Sequence, residues 1–252
     1  MCFFSRLTPF LLLGLLSFLS PFVSSSDENY IRKITNARIE DYPYLVSLRF
    51  KDEHRCAGSI LSEDKLLTAA HCVNFLPVEH LGVRVGSTVH FEGEYFAIRS
   101  VEIHPSYDSH SLDCDIAFVN LDRNLTFGRT VQPIELLETR PIDGTLAASP
   151  GWGMMKDSEF YRPDHLKVLT VRLISKEVCR PSYPRDAITK QMICARPTEF
   201  RADPCQATQG GPLVEKSSGK QVGVMSWGIS CVQPELPNVY ATVHNLINSK
   251  DV

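Results

Sequence analysis

From Tyr44 onward the apolar residues fall into short runs: YLVSLRF (44–50), LGVRVGS (81–87), YFAIRSVEIH (95–104), DIAFVNL (115–121), LKVLTVRLIS (166–175), QVGVMSWG (221–228) and NVYATV (238–243). Residues that favour turns separate them, and Val83-Arg84-Val85 and Val101-Glu102-Ile103-His104 alternate as strands with one buried face do. Many short strands with Gly and Pro turns predict an all-β barrel or sandwich. Helical signals are confined to SKEVCR (175–180) and HNLINSK (244–250). There is no internal repeat or flexible linker, and the turn-rich segment VQPIELLETRPIDG (131–144) is placed to join two subdomains.

The chain has 252 residues, 43% of them hydrophobic, enough for one large globular unit or two fused subdomains with a sizeable core. Its first 26 residues carry one charge, Arg6, then an apolar run, then small residues at Ser24 and Ser26. That is the layout of a secretory signal peptide with cleavage near Ser26. A membrane anchor competes poorly, because Pro9, Ser17, Ser20 and Pro21 interrupt a run that is short for a span. Removing Arg6 takes the formal charge from −3 to about −4, which disfavours nucleic acid and other polyanions as partners.

Eight cysteines are present, and Cys2 leaves with the leader. In an oxidising compartment the other seven are expected to pair. Spacing suits three local pairs, Cys56 with Cys72, Cys179 with Cys194 and Cys205 with Cys231, and leaves Cys114 over. No CxxC is present and the histidines are scattered, so no metal site is expected.

The chemistry is concentrated in KLLTAAHC (65–72), HPSYDSHSLDCDIAFVNL (104–121), PGWG (150–153), PCQATQGGPLV (204–214) and SWGISC (226–231). Together, and in this order, they resemble the trypsin-like serine proteases of the chymotrypsin fold, from about Ile34 to about Val243. The resemblance implies two six-stranded antiparallel β-barrels with a cleft between them and a short C-terminal helix. The expected organisation is a signal peptide (1–26), a short propeptide (27–33) and a protease-like domain (34–252). The three spacing pairs match disulfides that this family uses.

Such enzymes need a serine hydroxyl, a histidine to take its proton and a buried carboxylate to hold the imidazole in the useful tautomer. By motif, His71 is the base and Asp115 its orienter, expected to be hydrogen-bonded, but Gln209 stands in the nucleophile's place. The resemblance puts Thr208 where the family has an aspartate, its side chain pointing away from the cleft. In the family that aspartate receives the new N-terminal ammonium after activation. Ile34-Thr35-Asn36-Ala37 after Lys33 lacks the usual glycines, so the activation switch is expected to be disconnected. Ala207 replaces the glycine whose N–H, with that of residue 209, forms the oxyanion hole.

Asp203 falls where the family reads Arg or Lys, and Ser226-Trp227-Gly228 resembles the strand that pairs with a substrate backbone. Asn238 replaces a pocket-wall glycine and is placed either to fill the pocket or to donate to Asp203. Asn124-Leu125-Thr126 is an N-glycosylation sequon in an expected exposed turn. Cys114 is expected on a strand beside Asp115, pointing away from the histidine.

These features predict a secreted, catalytically inactive homologue that needs no cofactor. It is expected to bind an extracellular protein, such as a protease, protease inhibitor or protease substrate, and neither nucleic acid nor membrane. The competing readings are an active endopeptidase cleaving after Arg or Lys and a structural secretory protein.

Overall fold

The computed structural model describes residues 35–153, 164–198, 208–228, 236–244 and 246. The expected leader and propeptide lie outside the described residues, as does most of the expected C-terminal helix. The segment SKEVCR contributes the short helix α1 (Lys176–Cys179), begun by Ser175, whose hydroxyl accepts the Val178 N–H.

Among the described residues, twelve of thirteen strands form two closed antiparallel barrels. The first contains β2 (Leu45–Phe50), β3 (Glu53–Ile60), β4 (Lys65–Thr68), β7 (Ala117–Leu121), β6 (Glu94–Ile103) and β5 (Leu81–Val85), in that spatial order. The second contains β9 (Lys167–Ile174), β10 (Met192–Pro197), β13 (Asn238–Thr242), β12 (Gln221–Trp227), β11 (Pro212–Glu215) and β8 (Leu146–Gly151), and it closes where β8 pairs with β9. The two-residue β1 (Thr35–Asn36) lies along β9.

Alternation explains β6 and β9, where buried positions such as Phe96 and Ile98, or Leu169, Val171 and Leu173, turn inward and their neighbours meet solvent. β7 is buried along its whole length, which is why its sequence is nearly continuous apolar residue. Leu48, Leu67, Val83 and Phe96 pack in the first barrel; Leu173, Leu213, Met225 and Tyr240 pack in the second.

The segment from β7 to β8 fastens first to one barrel and then to the other. Its early half donates from Leu125 to the Glu63 carbonyl and from Ile134 to the Ile60 carbonyl. Its later half exchanges hydrogen bonds with Gln221, between the Leu137 N–H and the Gln221 carbonyl and between the Gln221 N–H and the Glu135 carbonyl.

The Gln221 side chain, fully buried, also bridges the barrels, accepting from Ser59 Oγ at 2.7 Å and donating to the Gly223 carbonyl at 3.0 Å. Ser59→Ala leaves the buried Gln221 oxygen without its donor and is expected to cost about 1–3 kcal/mol in urea unfolding. The double variant Ser59→Ala with Gln221→Met should lose less than the sum of the two single losses. Additive losses would mean that the two side chains are not coupled.

Candidate active site

His71 sits in the 3-10 turn Ala70–Cys72 that follows β4. Two constraints fix the turn: the disulfide from Cys72 to Cys56 of β3, and the Arg55 guanidinium, which donates to the Cys72 carbonyl at 2.8 Å. Asp115 lies just before β7 and is fully buried. Its carboxylate accepts the His71 N–H at 2.9 Å, lies 2.7 Å from His71 Nδ1, and accepts the Ser226 hydroxyl from β12 of the other barrel. Sequence motifs assigned Ser226 to the substrate strand; its bond to Asp115 joins distant segments and leaves no local signal.

The loop after the candidate site is clamped between the barrels. The Gln209 carbonyl accepts from the Ala57 N–H at 2.8 Å on one side, and the Gly210 N–H donates to the Met225 carbonyl at 2.8 Å on the other. Gly210 adopts φ +76°, and a Cβ there would stand 2.4 Å from both the Ala57 carbonyl oxygen and Thr68 Oγ1, so only glycine fits. Gln209 is partly exposed in the expected nucleophile position. Among the described residues its side chain makes no hydrogen bond to His71, and His71 Nε2 lies 3.6 Å from Cys72 Sγ. The sulfurs of Cys56 and Cys72 and a ring nitrogen of His71 all lie within 4.8 Å of one another. Both sulfurs are consumed by their disulfide, so the thiolates that a cation requires are absent from this cluster.

Thr208 is buried. Its Oγ1 accepts the Trp152 N–H at 2.7 Å and the Gly153 N–H at 2.9 Å. Gly151 is required alongside, since a Cβ there would come 2.3 Å from the same oxygen. A neutral hydroxyl therefore satisfies two buried donors.

At the candidate pocket, Asn238 is fully buried, and a Cβ added to Gly228 would lie 2.8 Å from its Oδ1. The carboxamide thus fills the space against Gly228. The nearby Tyr240 phenol donates to Ser149 Oγ at 3.3 Å. Burial pushes that phenol up to about 12, against the pull of the Ser149 and Asn238 side chains. Trp227 stacks edge-on against Tyr183 at 4.9 Å between ring centres. Asp203, Ala207, Cys205 and Cys231 lie outside the described residues.

A second disulfide joins Cys179 of α1 to Cys194 of β10, and Cys114 is free and buried. Strand alternation is not what orients Cys114, because β7 begins only at Ala117 and Cys114 occupies a turn with φ +50°. Burial, then the Asp113 charge, pushes its thiol up to about 11, so it stays protonated and unreactive near neutral pH. Asn124 is exposed, with its amide donating to Glu63 at 2.9 Å, while the following Leu125 is buried and anchors the turn.

The Thr208 contact predicts a specific stability pattern. Thr208→Val preserves the shape but orphans two buried N–H groups, at about 1–3 kcal/mol each, whereas Thr208→Ser keeps the oxygen and should retain most of the stability. Equal urea midpoints for the Val variant and the parent would contradict this role.

Comparison with known proteins agrees with the fold. The family model described as Trypsin matches residues 31–249. The chain is 38% identical over 212 residues to the vitellin-degrading protease of Bombyx mori, covering 82% of this chain and 79% of that protein. It is 39% identical over 210 residues to hypodermin-B of Hypoderma lineatum, covering 82% and 80% respectively. Among solved structures, neuropsin, a serine protease expressed in the limbic system of mouse brain, superposes with a TM-score of 0.76 at 27% identity, covering 86% of this chain and 96% of that one. With the two barrels and the clustered motifs, these matches establish that the chain belongs to the trypsin-like serine protease family.

Proposed function

We propose that this protein is a secreted member of the family without peptidase activity, acting by binding as a regulator, cofactor or decoy in an extracellular process such as a proteolytic cascade, immunity or reproduction. The reading is supported by the flanking motif, whose resemblance to the family puts Gln209 at the nucleophile position, and by the hydrogen-bonded His71–Asp115 pair. In an active member, the imidazole takes a proton from a hydroxyl as that hydroxyl attacks the scissile carbonyl. A carboxamide has its nitrogen lone pair delocalised into the carbonyl and offers His71 no comparable nucleophile. Thr208, the neighbouring hydroxyl, is committed to Trp152 and Gly153. The relatives named as proteases supply the fold and the ancestry of the site.

Two further features support the reading. The Asn238 carboxamide lies against Gly228, which supports a pocket filled against a long basic side chain. Thr208 carries no charge to receive an N-terminal ammonium, and an ammonium buried without a partner costs several kcal/mol. The leader-like N-terminus and the disulfides suit secretion, and the exposed Asn124 is the proposed glycan site. Among the described residues no helix is long and apolar enough to cross a membrane. The partner is proposed to be an extracellular protease, protease inhibitor or protease substrate docking on the protease-like domain. Crosslinking and pull-down from the native secretion tests this. Recovery of one specific partner supports it, while a protein recovered without any partner favours a structural role.

The proposal makes a prediction about repair. Removing the serine of an unrelated triad hydrolase costs about 2 × 10⁶ in kcat, yet Gln209→Ser alone is expected to restore no appreciable turnover of a chromogenic arginine substrate, even after cleavage following Lys33. The new hydroxyl would face a filled pocket and an N–H set not organised by a terminal ammonium. Adding Thr208→Asp, Ala207→Gly and Asn238→Gly should do measurably better. Robust turnover by the single variant would show that the remaining machinery is intact.

A further inference from the structure

Two histidine rings meet beside Trp152, the residue whose N–H is held by Thr208. His54 comes from β3, where Glu53 and Arg55 turn to the exposed face and His54 turns inward, to 6% exposure. Its Nδ1 lies 2.8 Å from the buried Ser47 hydroxyl of β2. His90 comes from the loop between β5 and β6 and keeps only 13% of its side chain exposed. The two rings stand 4.9 Å apart between centres, tilted by 38°. His54 also meets the Trp152 ring edge-on at 5.5 Å, and Phe91 packs edge-on against His90 at 5.1 Å.

The charges around the pair are unevenly disposed. Arg49 of β2 is buried and donates to the His90 carbonyl at 3.1 Å; Asp52 answers its charge, and Arg84 of β5 approaches the same carboxylate at 3.5 Å. Asp164, ahead of β9, holds a carboxylate oxygen 3.8 Å from His90 Nε2. His165 beside it is exposed, and in the His90 loop the Glu92 carboxylate accepts the Ser87 hydroxyl at 3.4 Å. On β3, Arg55 is engaged with the Cys72 carbonyl. A proton on His90 is thus balanced by Asp164. A second proton, on His54, puts two like charges side by side next to the buried Arg49 guanidinium.

Two routes lead from the pair to the loop bearing Gln209. The His54 ring abuts Trp152 directly. The loop carrying His90 reaches the same residue through the Thr88 carbonyl, which accepts the Trp152 indole N–H and the Leu166 N–H, each at 2.8 Å. The Trp152 backbone N–H in turn donates to Thr208 Oγ1 at 2.7 Å, one residue before Gln209. Parting the rings therefore disturbs Trp152 at both its ring and its indole N–H.

We propose that the His54–His90 pair is an acid-sensitive catch for this loop. At neutral pH the rings pack against each other, His54 seats Trp152, and the catch is closed. When acid protonates both rings, like charges meet where burial leaves little screening, the rings part, and Trp152 loses its seat beside Thr208. Histidine is the side chain that titrates in this range. The closed pair holds fewer protons than two free histidines do, so stability present above the ordinary histidine value of about 6.5 is lost as pH falls through it. The catch acts whether or not a nucleophile stands at residue 209.

The test follows hydrogen exchange at the Trp152 and Gly153 N–H groups of the mature protein between about pH 7.5 and 5, a span that brackets the histidine range. Corrected for the intrinsic pH dependence of exchange, their protection should fall about tenfold, the equivalent of one pKa unit. Val119, in the centre of β7, should keep its protection, which separates release of the catch from general acid unfolding. His90→Gln leaves His54 beside a neutral side chain and should remove most of the fall at Trp152 and Gly153. His80→Gln, which replaces an exposed histidine outside the cluster, should behave as the parent. Constant protection of Trp152 and Gly153 in the parent across the span, or an equal fall at Val119, would overturn the proposal without recourse to any variant. So would a fall in His90→Gln as large as in the parent, or its loss in His80→Gln.

Discussion

The buried carboxylate of Asp115 is the constraint on which the site depends. It is fully buried and accepts from the His71 backbone, the His71 ring and the Ser226 hydroxyl. A buried charge is tolerated only when it is paired and hydrogen-bonded, and removing one partner is strongly destabilising. Because Ser226 belongs to the second barrel and His71 to the first, satisfying this carboxylate also fixes the two barrels against each other. The loop bearing Gln209 then closes across the same seam, from Ala57 to Met225. A folding requirement therefore keeps the imidazole–carboxylate pair in place whether or not a nucleophile stands beside it.

The same reasoning joins the residue changes around the cleft. Under the proposed function, loss of the nucleophile removes the need for a terminal ammonium, and the buried charge that would receive it becomes a burden. Thr208 answers with a neutral oxygen, and the Trp152 and Gly153 N–H groups remain bonded. Asn238 fills the space against Gly228, beside the buried Tyr240–Ser149 hydrogen bond. Under the proposed function, each of these side chains satisfies a buried polar atom or fills a space where turnover would need a different residue.

How much of this was legible in the sequence differs by element. β6, β9, β12 and β13 announce themselves through alternation or β-branched and aromatic content. β3, β8 and β11 do not: HRCAGSI, LAASPG and PLVE are rich in small residues, proline or cysteine, and their pairing is settled by neighbours far along the chain. Gly58 in β3 shows why, since a Cβ there would lie 2.9 Å from the Leu67 carbonyl oxygen. The His71–Asp115 pair was readable because its flanking motifs are specific, as were the two described disulfide pairs. The Ser226 bond to Asp115 and the two N–H groups held by Thr208 were not, because each contact depends on the tertiary fold. The strand argument for Cys114 fails for a local reason, the positive φ of its turn.

The central claim is the absence of an activated nucleophile. Its most direct test is intact-mass analysis of the purified protein after cleavage following Lys33 and prolonged exposure to a fluorophosphonate, which labels activated serines irrespective of substrate preference. The account predicts no added mass under conditions that fully label an active trypsin. A stoichiometric adduct mapped to Thr208, or to any serine lining the cleft, would contradict it.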